Sequence, residues 1–154
     1  MFTGVNQDIC SQAWEILVPA IKKAAELEIL NGLVGSVVVI DPNSETGETL
    51  FTGHVGEHDP KFAQWATAKA AVTLRTGLDS VQVRQDFPHL YMEGDIKWPG
   101  AVIRDGLVVA FSGVQGEFDE MISEWMISAI RGISRDLMLR PGGAAEQDGP
   151  FLTS

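Results

Sequence analysis

The chain has 154 residues, enough for one domain whose core needs neither disulfide nor metal to hold it. With 45% hydrophobic and 21% charged residues it is too apolar for a disordered segment, and no apolar run approaches the roughly 18 residues that span a bilayer. Eleven basic residues against twenty-one acidic ones leave a net charge of -10, which repels phosphate backbones and anionic lipid surfaces, so neither nucleic acid nor membrane is expected as a partner.

The first residues, MFTGVNQDICSQAWEIL, show neither the basic nor the continuous apolar stretch of a secretory signal. The one cysteine, Cys10, fits a reducing cytoplasm, and beside Ile9 in a helical pattern it reads as a small core hydrophobe. From Asn6 to Leu30 the apolar residues Ile9, Ala13, Ile16, Leu17, Ala20, Ala24 and Leu27 recur at three- and four-residue steps, which predicts an amphipathic helix. Pro19 predicts a kink or a division into two helices, and Asn31-Gly32 predicts the end. GSVVVID and ETLFTG, joined by PNSETG, predict a β-hairpin.

Asp59 as N-cap and Pro60 as the first helical residue open a second helix, closed by Thr76-Gly77, and SVQVRQDF predicts a short third one before Pro88. In AVIRDGLVVAFSGV, Asp105-Gly106 predicts a second hairpin with a two-residue turn. The last helix is expected from about Glu117 to Leu137, with Glu117, Asp119 and Glu120 favourably placed in its first turn. Residues 1–138 are read as one domain and 139–154 as a disordered tail. The order helix, hairpin, helix, hairpin, helix has no long crossovers and points to an α+β protein with a mostly antiparallel sheet.

Three features carry the candidate chemistry. HVGEH at 54–58 spells H-x-x-E-H, which on a helix would present His54 and His58 to zinc with Glu57 as base; here Gly56 interrupts it and the helix starts only at Asp59-Pro60, so these residues read as a polar loop and no metal site is expected. Lys69 has Trp65, Ala66, Val72 and Thr73 as helical neighbours, so it either snorkels past an apolar rim or points into a cavity where it can pair a ligand carboxylate. Gly113 and Gly116 join a strand to a helix N-terminus, which either holds an anion or meets the steric need of a tight connection. Trp65 and Trp98 are either flat walls for a planar ligand or core residues.

The order of these features resembles the GlcG/HbpS-like proteins, related to the C-terminal domain of PduO-type corrinoid adenosyltransferases. AAELEILNGLVGSVVVID is similar to the family's helix leading into a valine-rich strand, FAQWATAKAAVTL to its alanine-rich helix with an embedded Ala-Lys-Ala, and DGLVVAFSGVQG to its Asp-Gly hairpin ending in a glycine turn. The resemblance implies a profilin-like antiparallel sheet of about five strands flanked by helices, assembly into homo-oligomers, and a small-molecule-binding role, with haem or a corrinoid among the ligands. Departures fall on the pocket side: His54 stands roughly at a family arginine, WPGAV replaces Gly-Gly-x-Pro, and GVQG replaces Gly-Val-Ser-Gly.

The expected pocket is bounded by 54–69 and 98–116 and takes a planar or carboxylated molecule, with His54 or His58 as iron ligand and Lys69 on a propionate. The alternatives are an enzyme using His54 or Glu57 as acid or base, with the Gly113–Gly116 amides on an anion, and a non-catalytic oligomeric scaffold. Self-association is also expected on the ground that Trp14, Trp125 and Met126 leave apolar surface.

Overall fold

A computed structural model describes residues 4–150. The elements run α1 (Gln7–Glu26), β1 (Val34–Ile40), β2 (Thr49–Gly56), α2 (Pro60–Thr76), α3 (Ser80–Asp86), a single 3₁₀ turn at Pro88–Leu90, β3 (Ala101–Arg104), β4 (Leu107–Ser112), α4 (Gly116–Leu139) and a short α5 (Ala144–Gln147). The four strands form one antiparallel sheet in the order β2-β1-β4-β3, one strand fewer than the sequence resemblance implied. α5 lies in the stretch expected as a tail, with Ala144 buried; residues 151–154 fall outside the described ones.

The two central strands read as almost unbroken apolar runs because both of their faces are covered. Val37 and Val39 of β1 turn to one side, where Val109 and Phe111 of β4 join Ile9, Leu17 and Ile21 of α1 and Ile122, Met126 and Ile130 of α4. Val38 and Ile40 turn to the other, against Val108 and Ala110 and the small residues Ala66 and Ala70 of α2. α1 and α4 thus share one face, and α2 lies over the other.

Local chemistry sets most of the boundaries. Asn6 caps α1 by accepting the Ile9 amide at 2.9 Å, and Asp59 caps α2 through the Lys61 amide at 3.0 Å. Gly77 closes α2 in the left-handed region at φ 72°. Asp105 and Gly106, at φ 51° and 83°, make the expected two-residue turn. α1 runs unbroken through Pro19, which sits with Glu15 on the exposed face, where water can take the carbonyl that proline leaves unpaired. It stops at Glu26 rather than at Asn31-Gly32, because Glu28 adopts φ 62° and the Glu28 and Ile29 amides fold back onto the Ala25 and Ala24 carbonyls.

Trp14 and Met126, expected as exposed apolar surface, are core residues. The Trp14 ring lies 6.3 Å from that of Phe111, and its indole N–H donates to the His54 carbonyl at 3.2 Å.

Candidate functional site

α2 places Phe62, Trp65 and Lys69 at three- and four-residue steps, so they share one helical face toward the end of β4. Opposite them lie the turn 113–115, the first turn of α4 and the loop that carries Ile96 and Trp98. Together these segments enclose a cleft of about 600 Å³. Trp65 and Trp98 are 46% and 61% exposed and wall it, so neither serves as the core residue that tryptophan usually becomes.

At the base of the cleft Lys69 does not snorkel. Its residue is 2% exposed, its ammonium donates to Asp119 Oδ2 at 2.8 Å and to the Phe111 carbonyl at 3.2 Å, and its third N–H has no partner among the described residues. Asp119 Oδ1 accepts the Val114 amide at 2.9 Å. One carboxylate thereby holds both the lysine and the glycine turn. Burial pushes the Asp119 carboxyl up to about 6 against the opposing pull of Lys69. Burial likewise lowers the Lys69 ammonium, against the pull of Asp119.

Two glycines make this arrangement possible. A Cβ on Gly113, at φ 156°, would run into the Val34 carbonyl, so the turn can lie flat against β1 only without a side chain. A Cβ on Gly100 would stand 2.9 Å from Lys69 Nζ and 2.7 Å from the Phe111 carbonyl. The Gly100 carbonyl is tied by Ser123 Oγ at 2.6 Å, which fixes the backbone just after Trp98. Further up the loop, Arg75 of α2 grips Asp95 through both carboxylate oxygens, and Asp95 accepts the Met92 amide at 2.7 Å.

Of the residues singled out in the sequence, Trp65, Lys69, Trp98, Gly113 and Gly116 line this cleft, and His54, Glu57 and His58 do not. β2 continues to Gly56, so His54 is a strand residue rather than part of a loop. It stands in register with Ser36, whose Oγ is 2.7 Å from its Nδ1, and its ring centroid is 4.2 Å from that of His58. Partial burial, and then the neighbouring His58, lower the His54 imidazole below its ordinary value. Glu57 is exposed.

Phe62, Ile96, Ser112, Val114, Gln115 and Asp119, none of them a candidate from the sequence, complete the cleft. The α2 spacing that marks Trp65 and Lys69 also marks Phe62. The sequence marks Asp119 as a helix-dipole acid near the glycine turn and not as the partner of Lys69, which lies fifty positions away.

No family model matches the chain, and no curated protein matches it by sequence. Solved structures do match. Protein ORFY of Klebsiella pneumoniae, of family DUF336, is 18% identical with a TM-score of 0.57, over 78% of this chain and 88% of its own. A double mutant of HbpS from Streptomyces reticuli is 20% identical with a TM-score of 0.56, over 83% and 88% of the two chains. The PduOC:heme complex is 19% identical with a TM-score of 0.54, over 79% and 89%.

The chain has the fold of HbpS and PduOC. The GlcG/HbpS-like resemblance read from the sequence therefore agrees with the structure in its architecture. In this HbpS-type fold the cleft opens where α2, the end of β4 and the start of α4 converge. Among the described residues no helix is long and apolar enough to cross a membrane.

Proposed function

We propose that this protein binds a small, flat, largely apolar molecule between Trp65 and Trp98, with a polar or anionic group of the ligand meeting the free N–H of Lys69. The observation that carries this reading is the pairing of two exposed tryptophans with a buried ammonium in one cleft of about 600 Å³. Flat aromatic walls favour a planar body, and a buried donor without a partner favours one acceptor at its edge. That PduOC is found in a complex with heme supports a tetrapyrrole as one occupant of this class. Among the described residues that line the cleft there is no histidine, cysteine, methionine or tyrosine, so they do not fit axial ligation of a haem iron. A tetrapyrrole held here is held by stacking and by its carboxylates.

The test is a pair of equilibrium titrations, with haemin and with metal-free protoporphyrin IX, on the wild type and on Trp65→Ala, Trp98→Ala and His54→Ala. Equal affinity for the two porphyrins, weakened about tenfold or more by either tryptophan change and untouched by His54→Ala, is the expected pattern. Preference for haemin that disappears in His54→Ala overturns it in favour of iron ligation at the histidines.

Self-association belongs to the same reading, now on different grounds from those the sequence offered. β2 is a sheet edge, and Ile16, Met92 and Leu139 are each at least 60% exposed. Light scattering at micromolar concentration should give a mass above that of one chain, and a monomer contradicts it.

A further inference from the structure

Lys69 differs from every other lysine of the chain. Lys22, Lys23, Lys61 and Lys97 are exposed, whereas Lys69 is 2% exposed and lines the cleft. Its acidic partner, Asp119, is equally withdrawn from water, with the two side chains at 3% and 4% exposure. A buried pair of this kind is a weak source of stability, because desolvation offsets most of the Coulombic gain. It is, however, the environment in which an amine becomes a nucleophile: a short hydrogen bond to a carboxylate that can take its proton, and an apolar wall that excludes water.

We infer that Lys69 forms an imine with a small aromatic aldehyde or ketone bound between Trp65 and Trp98, with Asp119 as the proton carrier. This rests on the cleft being a ligand site and adds a covalent step to it. Transfer of a proton along the 2.8 Å contact leaves a neutral amine beside a carboxylic acid. The nitrogen lone pair forms a C–N bond to the carbonyl carbon, the π pair passes to oxygen, and Asp119 protonates that oxygen. Loss of the second N–H proton to the departing oxygen releases water.

The balance is Lys-NH₃⁺ plus R₂C=O giving Lys-NH⁺=CR₂ plus H₂O, with no oxidant or reductant. The iminium carries the same charge as the ammonium it replaces, so Asp119 ends, as it began, as a carboxylate beside a cation, and no unpaired charge is left in the buried site. The downward pull on the Lys69 ammonium and the upward pull on the Asp119 carboxyl, to about 6, both favour the proton transfer that starts the sequence.

The experiment treats the full chain with benzaldehyde and cyanoborohydride at pH 7, the hydride reducing any iminium to a stable secondary amine, and locates adducts by peptide mass spectrometry. Benzyl alcohol, which has the same ring and no carbonyl, is titrated in parallel by tryptophan fluorescence. The expected result is one dominant adduct on Lys69, at least tenfold above each exposed lysine, competed by benzyl alcohol and absent in Lys69→Arg, which keeps a cation beside Asp119.

Adducts spread over Lys22, Lys23, Lys61 and Lys97 with Lys69 unmodified overturn the imine. If benzyl alcohol still binds in that case, the cleft reading stands without the covalent step. If it does not, an aromatic ligand in the cleft is contradicted as well.

Discussion

At the scale of single residues, the Lys69–Asp119 pair decides how the site behaves, and its energetics make distinct predictions. Lys69→Met leaves a carboxylate buried without its cation and should cost about 3–5 kcal/mol, whereas the double change Lys69→Met with Asp119→Leu should recover most of that loss. Urea denaturation of the two single variants and the double one measures the cycle. The pH dependence has a defined sign. The folded Asp119 carboxyl, at about 6, lies above its ordinary value of 3.8, so its contribution to stability is present below about pH 4 and is lost as pH rises through 6. The stability of the wild type relative to Asp119→Asn should therefore fall between pH 4 and pH 7, and a flat difference would show an unshifted carboxyl.

His54 runs the other way. Its folded imidazole is lowered, so its contribution is present above about pH 6.5 and is lost as pH falls through the folded value, a dependence that His54→Gln should flatten.

At the scale of elements, α2 and the loop before β3 form the two walls, and different contacts hold each. α2 is rigid because it is capped at both ends and its alanines pack closely on the sheet. The loop depends on Arg75–Asp95 at its middle and on Ser123 at its end. Asp95→Ala should therefore weaken ligand binding through Trp98 while leaving the unfolding midpoint nearly unchanged, since the ion pair is largely a surface one. Binding titration beside thermal unfolding separates the two effects.

Elements were the most legible level of the sequence. Both hairpins and the opening of α2 follow from turn and cap chemistry carried by a few adjacent residues, and α1 follows from its apolar periodicity. The end of α1 was not legible, because a glutamate at position 28 takes the left-handed conformation that glycine usually marks. His54 reads as a loop residue because Gly56 interrupts HVGEH and the expected strand ends at Gly53, whereas β2 runs on to Gly56, with the Trp14 ring packed against the Gly53 backbone.

For the whole molecule, one well-covered face and one partly open face explain where a ligand can enter. α1 and α4 bury the larger cluster, in which Phe111 is fully enclosed, and Phe111→Ala should cost about 3–5 kcal/mol in chemical denaturation. α2 lies over the other face, with α3 against β3, and where α2 leaves the sheet the cleft opens.

The α+β class and antiparallel sheet could be read from element order. The lower wall of the cleft could not, since Lys69 and Asp119 meet only through the packing of α2 and α4 on either side of β4. His54 and His58 lie close to α2 in the sequence, yet they do not line the cleft, and β2 carries His54 in register with Ser36.

The most direct test of the central claim labels the four tryptophans with 5-fluorotryptophan and follows their ¹⁹F resonances during a titration with protoporphyrin IX. Trp65 and Trp98 should shift together and saturate at one ligand per cleft, while Trp14, enclosed in the core, stays in place. Saturable binding that leaves both Trp65 and Trp98 unmoved would contradict the assignment of the cleft as the ligand site.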